Sequence, residues 1–544
     1  MRILDKIFHA GAKEAQVSVM EDSHPQPIAE LPAKEESAAT LDEEALQAIR
    51  DSLLFDGAWY RRQHGLGEYL DAARHYLMVG WKKGWDPSPF FSGEEYFARY
   101  PELRESGMNP LLHFERFGFV EGRYREELRA RRAAIAEAHP ECRTDMEGGI
   151  LRIRITNACN AKCRYCGVRN TFGEEKEHAM DPRWYYEYCK PLYEKIHIVL
   201  ITGGDAFVAR ESYNYMKFMS ENYPAITLLT ESNGIAFDER FRRLAADNLF
   251  KTHFSVNAST AEIFDRSCWE GSGGDIVYPK FMGNIDAYLE LLKEEGKLCF
   301  APSMSMVINH DNYGDVRDFT RMALRHHSWY TCFFFDYSEN DMNSDYFGRP
   351  EEMRPVLKEM MEIERVLAGR IMFYFRLWIP GKEAEPLQEE VEAEPMEELR
   401  ERYRDLLELS EGRSVEGEYR ERNAWRRRMG KKELEFGEDF APTVRLEERE
   451  GRRMCFAPWG ELDLYPDGRL DFCGWFERTL DLHDFLADGK VDWEAALNSY
   501  EYMAARKRIL CGNFRGCQVC CPMNSVKNPI VGVHQYGNDR LALR

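Results

Sequence analysis

The sequence predicts an α/β fold: a partial barrel of six β/α units, with a helical repeat before it and a small cysteine-bearing domain after it. Three observations carry this. Strand-like runs alternate with helical stretches from residue 150 to about 382, the pattern of parallel strands joined by right-handed crossovers. Aromatic motifs recur between residues 41 and 130. Nine of the 14 cysteines fall in two groups: Cys159, Cys163 and Cys166, then Cys455, Cys473, Cys511, Cys517, Cys520 and Cys521.

Composition narrows the class. Hydrophobic residues make up 44% of the 544-residue chain and aromatics 13%, enough for large buried cores. A formal net charge of -21 argues against nucleic-acid binding, which usually needs a basic face. No run approaches the ~20 uncharged apolar residues of a membrane helix. The start, MRILDKIFHAGAKEAQV, is broken by charges and lacks a secretory core. The expectation is a cytoplasmic protein, in which clustered cysteines point to metal rather than disulfides. The scattered thiols Cys142, Cys189, Cys268, Cys299 and Cys332 read as small buried hydrophobes.

In chain order, residues 1–40 are rich in Ala, Glu, Pro and Ser and read as a flexible leader. Residues 41–130 hold two copies of one unit: Tyr60 matches Tyr96, His75 matches His113 and Gly80 matches Gly118. Stacked copies would bury their aromatics, with the histidines as packing or turn residues. This segment resembles a repeat attached to bacterial glycosyltransferases and other surface-polysaccharide proteins. Six strand-like runs follow: LRIRIT, KIHIVLITGG, AITLLTES, KTHFSVNA, KLCFAPSMSMVI and WYTCFFFDY. Residues 383–452, dense in Glu and Arg, read as a solvated helical insertion or linker. Residues 453–544 carry the second cysteine group.

The first group is C-x3-C-x2-C directly after the first strand. A zinc site would want a nearby fourth ligand, and the nearest downstream histidine, His178, is isolated. Three thiolates on a [4Fe-4S] cluster leave one iron open. With Tyr165 before the third cysteine, the motif resembles the radical S-adenosylmethionine superfamily. That resemblance implies a partial (β/α)6 TIM-like barrel with its chemistry at the C-terminal ends of the strands. It implies that S-adenosylmethionine chelates the open iron and that one electron, from a flavodoxin- or ferredoxin-like donor, cleaves it to a 5′-deoxyadenosyl radical. ITGGDAF on strand two places Gly203, Gly204 and Asp205 where the family's Gly-Gly-Glu holds the cofactor's amino group. Ser255 and Asn257 on strand four match residues that bind its ribose and carboxylate. Ser305 and Asn309 on strand five are weaker candidates.

The hairpin CFAPWGELDLYPDGRLDFC spans Cys455 to Cys473, with a Pro-Asp-Gly turn at 466–468. Forty-three residues separate Cys473 from Cys517, and C-x2-C then reaches Cys520. The spacing resembles SPASM/twitch auxiliary-cluster domains, which implies at least one further [4Fe-4S] cluster on Cys455, Cys473, Cys517 and Cys520. For these four alone, a zinc ribbon is the competing structure. Cys511 and Cys521 are left as ligands of an incomplete second cluster, replacements, or buried thiols.

An auxiliary cluster accepting an electron from a substrate radical would give net oxidation. The resemblance implies peptide modification as the commonest activity of such enzymes: crosslinking, epimerisation or formylglycine-type oxidation. The aromatic repeat shifts the expectation toward oxidation or epimerisation of a carbohydrate or other surface-polymer substrate. Epimerisation needs a hydrogen donor, and Cys268 stands after strand four at the correct end of the barrel. A non-catalytic iron-sulfur scaffold is the third reading.

Overall fold

The computed structural model describes residues 38–163, 165–166, 178–269, 274–309, 311–335, 350–375, 387, 389–433, 446–449, 452–455, 457–473 and 479–513. The leader up to residue 37 lies outside the described residues, as do Cys517, Cys520 and Cys521.

All six expected runs form strands: β1 (Ile150–Thr156), β2 (Ile198–Gly203), β3 (Thr227–Ser232), β4 (Lys251–Ser255), β5 (Ser303–Ile308) and β6 (Tyr330–Phe335). A seventh, β7 (Met372–Phe375), follows. Each pairs in parallel with the next. Helices such as Arg210–Asn222, Glu239–Asn248 and Val316–Arg325 fill the crossovers. Every residue of β2 is buried, as a central parallel strand covered on both faces requires. Leu151, Ile153, Val199, Ile201, Phe254, Met304 and Met306 face the helices in one core.

A short hairpin pair, β8 (Leu446–Arg449) and β9 (Arg452–Cys455), precedes the expected Pro-Asp-Gly turn. That turn joins β10 (Glu461–Leu464) to β11 (Arg469–Asp471), and β12 (Leu480–Asp481) follows. This unit does not stand apart. β10 pairs in parallel with β1, giving the sheet order β12-β11-β10-β1-β2-β3-β4-β5-β6-β7. The fold is thus α/β with a mostly parallel sheet. Among the described residues its two end strands, β12 and β7, do not pair, so the barrel is partial.

The charged stretch departs from expectation. Helices Met396–Arg402, Arg404–Leu409 and Val415–Arg428 bury Leu399, Tyr403, Leu406, Val415 and Tyr419. Arg422 and Arg426 are also buried. The Arg422 guanidinium lies 3.7 Å from the Trp329 ring centroid and donates to Cys299 O. Arg426 Nη2 donates to Thr227 Oγ1 at 2.9 Å. The last helix therefore covers the chain entering β3, β5 and β6. Long arginine stems bury readily when their heads find carbonyls and rings, which a reading based on charge density overlooks.

The two N-terminal copies share their geometry. In the first, helix Ala72–His75 runs into a π-helical turn, Tyr76–Gly80; in the second, Pro110–His113 runs into Phe114–Gly118. The Tyr60 hydroxyl meets His75 Nδ1 at 2.9 Å, and Tyr96 meets His113 Nδ1 at 3.0 Å. Gly80 and Gly118 make room for these tyrosines: a Cβ would sit 1.9 Å and 2.2 Å from the respective hydroxyl oxygens. Gly80→Ala and Gly118→Ala should each cost about 2 kcal/mol. Gly67→Ala, with nothing within 4 Å of its Cβ, should be near neutral by thermal unfolding.

Helix Tyr500–Leu510, capped by Ser499, joins the two bodies. Tyr500, Met503 and Ala504 enter the core of the repeat, while Tyr502 and Ala505 enter that of the barrel. Arg506, fully buried between them, donates to the carbonyls of Pro458, Cys142 and Leu497.

Candidate active site

The loop after β1 carries the first cysteine group. It is seated on the end of β2 by two backbone bonds, Gly204 N to Thr156 O at 2.7 Å and Asp205 N to Ala158 O at 3.0 Å. Gly203 adopts φ +138°, and a Cβ there would lie 2.1 Å from Thr156 O. A Cβ on Gly204 would lie 2.0 Å from Ala158 O. The two glycines thus bring the loop's backbone against the strand.

Cys159 is exposed, and Cys163 and Cys166 are partly so. Asn233, following β3, places Nδ2 3.5 Å from Cys159 Sγ. The Asp205 carboxylate is buried and turned toward β3: it accepts from Phe207 N, Ser232 Oγ and Asn233 N at 2.8–2.9 Å. Burial pushes its carboxyl above the ordinary value against those bonds. Asp205 therefore ties the ends of β2 and β3 together.

Asn257 sits just past β4 at φ +64°, its Oδ1 accepting from Val307 N at 2.7 Å and its Nδ2 donating to Ser255 O at 3.2 Å. Asn309 is buried nearby, bonding Asp311 N and Val307 O. Cys268, 2% exposed, does not open onto the barrel. Its sulfur meets the Tyr165 hydroxyl at 3.1 Å, and its carbonyl accepts from Lys162 N at 3.0 Å. Hydrogen bonds, first from Cys163 and then from Ser267, Tyr165 and Asn257, draw the Cys268 thiol below its usual pKa despite burial. The contact of Cys268 with Tyr165 of the cluster motif, about a hundred residues away in sequence, had no local signal.

These residues fit an iron-sulfur group by donor chemistry: three thiols on one loop, with an amide N–H beside one sulfur. Among the described residues no three His, Cys, Asp or Glu side chains stand close enough to hold a metal ion as they are. Cys163 faces Cys268 and would turn from it to join the other two. Of the second group, Cys455 is buried at the end of β9, while Cys473 and Cys511 are half-buried.

The inner face of the barrel is mixed: polar residues, which the strand patterns did not suggest, lie beside an apolar cluster of Ile198, Leu200 and Leu229. Arg154 neighbours Thr202, Glu231 neighbours His253, and His253 neighbours Ser303 along the register. Arg154 holds Asp463 of β10 with two bonds of 2.6 and 2.8 Å. Thr202 Oγ1 donates to Glu231 at 3.3 Å. Beside these lies a cavity of about 170 Å³, lined by residues of β3 to β6 that include Glu231, Lys251, His253, Ser255, Ser303 and Ser305. No described helix is long and apolar enough to cross a membrane.

Comparison with known proteins places residues 153–323 in a match to the Radical SAM superfamily model. The GTP 3',8-cyclase of Peptoclostridium acidaminophilum is 26% identical over 180 residues, 32% of this chain and 51% of that one. The FeMo cofactor biosynthesis protein NifB of Methanocaldococcus jannaschii is 24% identical over 145 residues, 24% of this chain and 48% of that one. The chain thus spans about half the length of these curated relatives. Among solved structures, Streptococcus suis SuiB bound to S-adenosylmethionine aligns with 80% of this chain and 87% of its own, at 12% identity and a TM-score of 0.45.

Proposed function

Starting from a radical S-adenosylmethionine superfamily domain over residues 153–323, we propose that the chain is an enzyme that abstracts a hydrogen atom from a carbohydrate or other surface-polymer substrate, leading to oxidation or epimerisation. The observation that carries the reading is the three-thiol loop, pinned by its backbone at the C-terminal end of β1. Cys159, Cys163 and Cys166 would hold the [4Fe-4S] cluster, and Cys455, Cys473, Cys517 and Cys520 an auxiliary one. With S-adenosylmethionine bound, the first cluster supplies a 5′-deoxyadenosyl radical once a flavodoxin- or ferredoxin-like donor provides an electron.

The chain's own residues orient and enclose. Gly203 and Gly204 fix the height of the loop, Asn233 supports Cys159, and Tyr165 is held by Cys268. Asp205 joins β2 to β3 and would take the cofactor's amino group, and Asn257 would take its ribose or carboxylate, while Ser255, expected to share that role, lines the cavity within the barrel. The hydrogen-bonding residues of the inner face, Glu231, Lys251 and Ser255 among them, support a hydroxyl-rich substrate over an aliphatic one, because buried polar groups need partners. Protein reconstituted anaerobically should bind about eight iron atoms, two four-iron clusters, and form 5′-deoxyadenosine with dithionite. About four iron atoms, or zinc at the C-terminal cysteines, would remove the auxiliary cluster. No 5′-deoxyadenosine would remove the enzyme reading.

A further inference from the structure

Hydrogen-bond direction along the cavity wall limits what the cavity can bind. Ser303 Oγ donates to Thr252 O at 3.2 Å, since a carbonyl only accepts. Ser303 must therefore accept from His253 Nδ1, 2.8 Å away. Burial holds the His253 imidazole at a pKa of about 4, against a smaller opposing pull from Glu231 and a further lowering by Lys251. The ring is neutral at pH 7, so with Nδ1 protonated Nε2 is an acceptor. Nε2 accepts a hydrogen bond from Ser305 Oγ, also at 2.8 Å. Ser305 then accepts from Ser255 Oγ at 3.3 Å. The chain runs one way, from Ser255 through Ser305, His253 and Ser303 to the Thr252 carbonyl. Its open end, Ser255, offers lone pairs to a ligand and no proton.

Glu231, on the same cavity, is likewise an acceptor when ionised. Toward Ser255 and Glu231 a ligand must bring donors, while Lys251 on the same wall can donate to it. An anionic group brings none and would face the Glu231 charge. An ammonium would face Lys251, whose Nζ lies 5.4 Å from the Trp329 ring centroid at the foot of the same strands. Hydroxyls meet both requirements. The volume, about 170 Å³, is below the ~300 Å³ at which drug-sized pockets begin, and suits one ring.

We propose that this cavity binds one uncharged, hydroxyl-bearing sugar ring of the substrate, with Ser255 and Glu231 each accepting a hydrogen bond from a ring hydroxyl. The proposal rests on the radical-enzyme reading, and names where and how that enzyme holds its substrate.

Saturation-transfer NMR on the full-length, anaerobically reconstituted protein tests it. The probes are the methyl glycosides of glucose, galactose, mannose and N-acetylglucosamine, with glucuronate and the peptide acetyl-Gly-Lys-Gly-amide as competitors in class. At least one neutral glycoside should receive saturation, and Glu231→Gln should weaken its binding about tenfold, the scale of one hydrogen bond to a charged group. Saturation of the peptide or of glucuronate alone overturns the proposal. So does an unchanged glycoside signal in Glu231→Gln, or no glycoside signal. Loss of that signal on adding S-adenosylmethionine would give the cavity to the cofactor's ribose and also overturn it. 5′-Deoxyadenosine formation, measured in the same wild-type sample, reports separately on the radical reading: it can persist while the sugar site fails, or fail while the sugar binds.

Discussion

Alanine at Cys159, Cys163 and Cys166 together is expected to lower bound iron from about eight atoms to about four and to reduce 5′-deoxyadenosine to the protein-free background. The effect is large because the three thiols act as a unit: a cluster lacking its ligands has no open iron to chelate S-adenosylmethionine. The loop is partly exposed and its anchoring is mainly through backbone, so thermal stability of the cluster-free chain should change by less than about 1 kcal/mol. This separation of effects matters. A scaffold would lose iron yet keep its partners and phenotype, whereas an enzyme would lose the phenotype with the iron. Iron unchanged at about eight atoms would mean that these cysteines hold no cluster.

Gly204→Ala is expected to act on the same chemistry without touching a ligand. The added Cβ would lie 2.0 Å from Ala158 O and 2.4 Å from Asn157 O. Both are backbone atoms and cannot swing aside as a side-chain tip would. The loop must lift from β2, breaking Gly204 N to Thr156 O and Asp205 N to Ala158 O. A cost of about 3 kcal/mol is expected, with iron retention at the first cluster falling in step. Gly203→Ala adds a φ of +138° to a 2.1 Å clash and should be at least as severe. Denaturant unfolding and iron content, measured on both variants, would contradict this account if wild-type values survived.

Much of the fold was legible because it is local. Each of the six runs was bounded by turn residues and a helical pattern, and each is a strand. The short β7, Met372–Phe375, was missed: four residues carry little periodic signal. The pairing of β10 with β1 spans some three hundred residues, and a hairpin motif cannot announce which strand it will join. The buried face of the Glu- and Arg-rich stretch was hidden for another reason. Leu399, Tyr403 and Leu406 do recur at helical spacing, but between so many charges that the stripe is faint.

At the site, the cysteines and glycines could be named because the spacing of thiols and the absence of side chains are visible in one dimension. Their surroundings could not. Asp205 was expected to face a ligand, yet its shorter side chain is directed into the β3 turn, at Ser232 and Asn233. Cys268, read as a buried thiol and weighed as a hydrogen donor, is buried against Tyr165. The one-way relay through His253 depends on two strands, β4 and β5, being neighbours, and no segment contains it.

Helix Tyr500–Leu510 has a consequence for how the molecule comes apart. Its successive residues serve two cores, and Arg506 at its centre donates to carbonyls from three different segments. Neither core can open without exposing the helix that closes the other. The repeat and the barrel are therefore thermodynamically coupled and should melt in one cooperative step. A substitution in the repeat, such as Gly80→Ala, would then be felt as a lowered transition temperature of the barrel, well away from the altered residue.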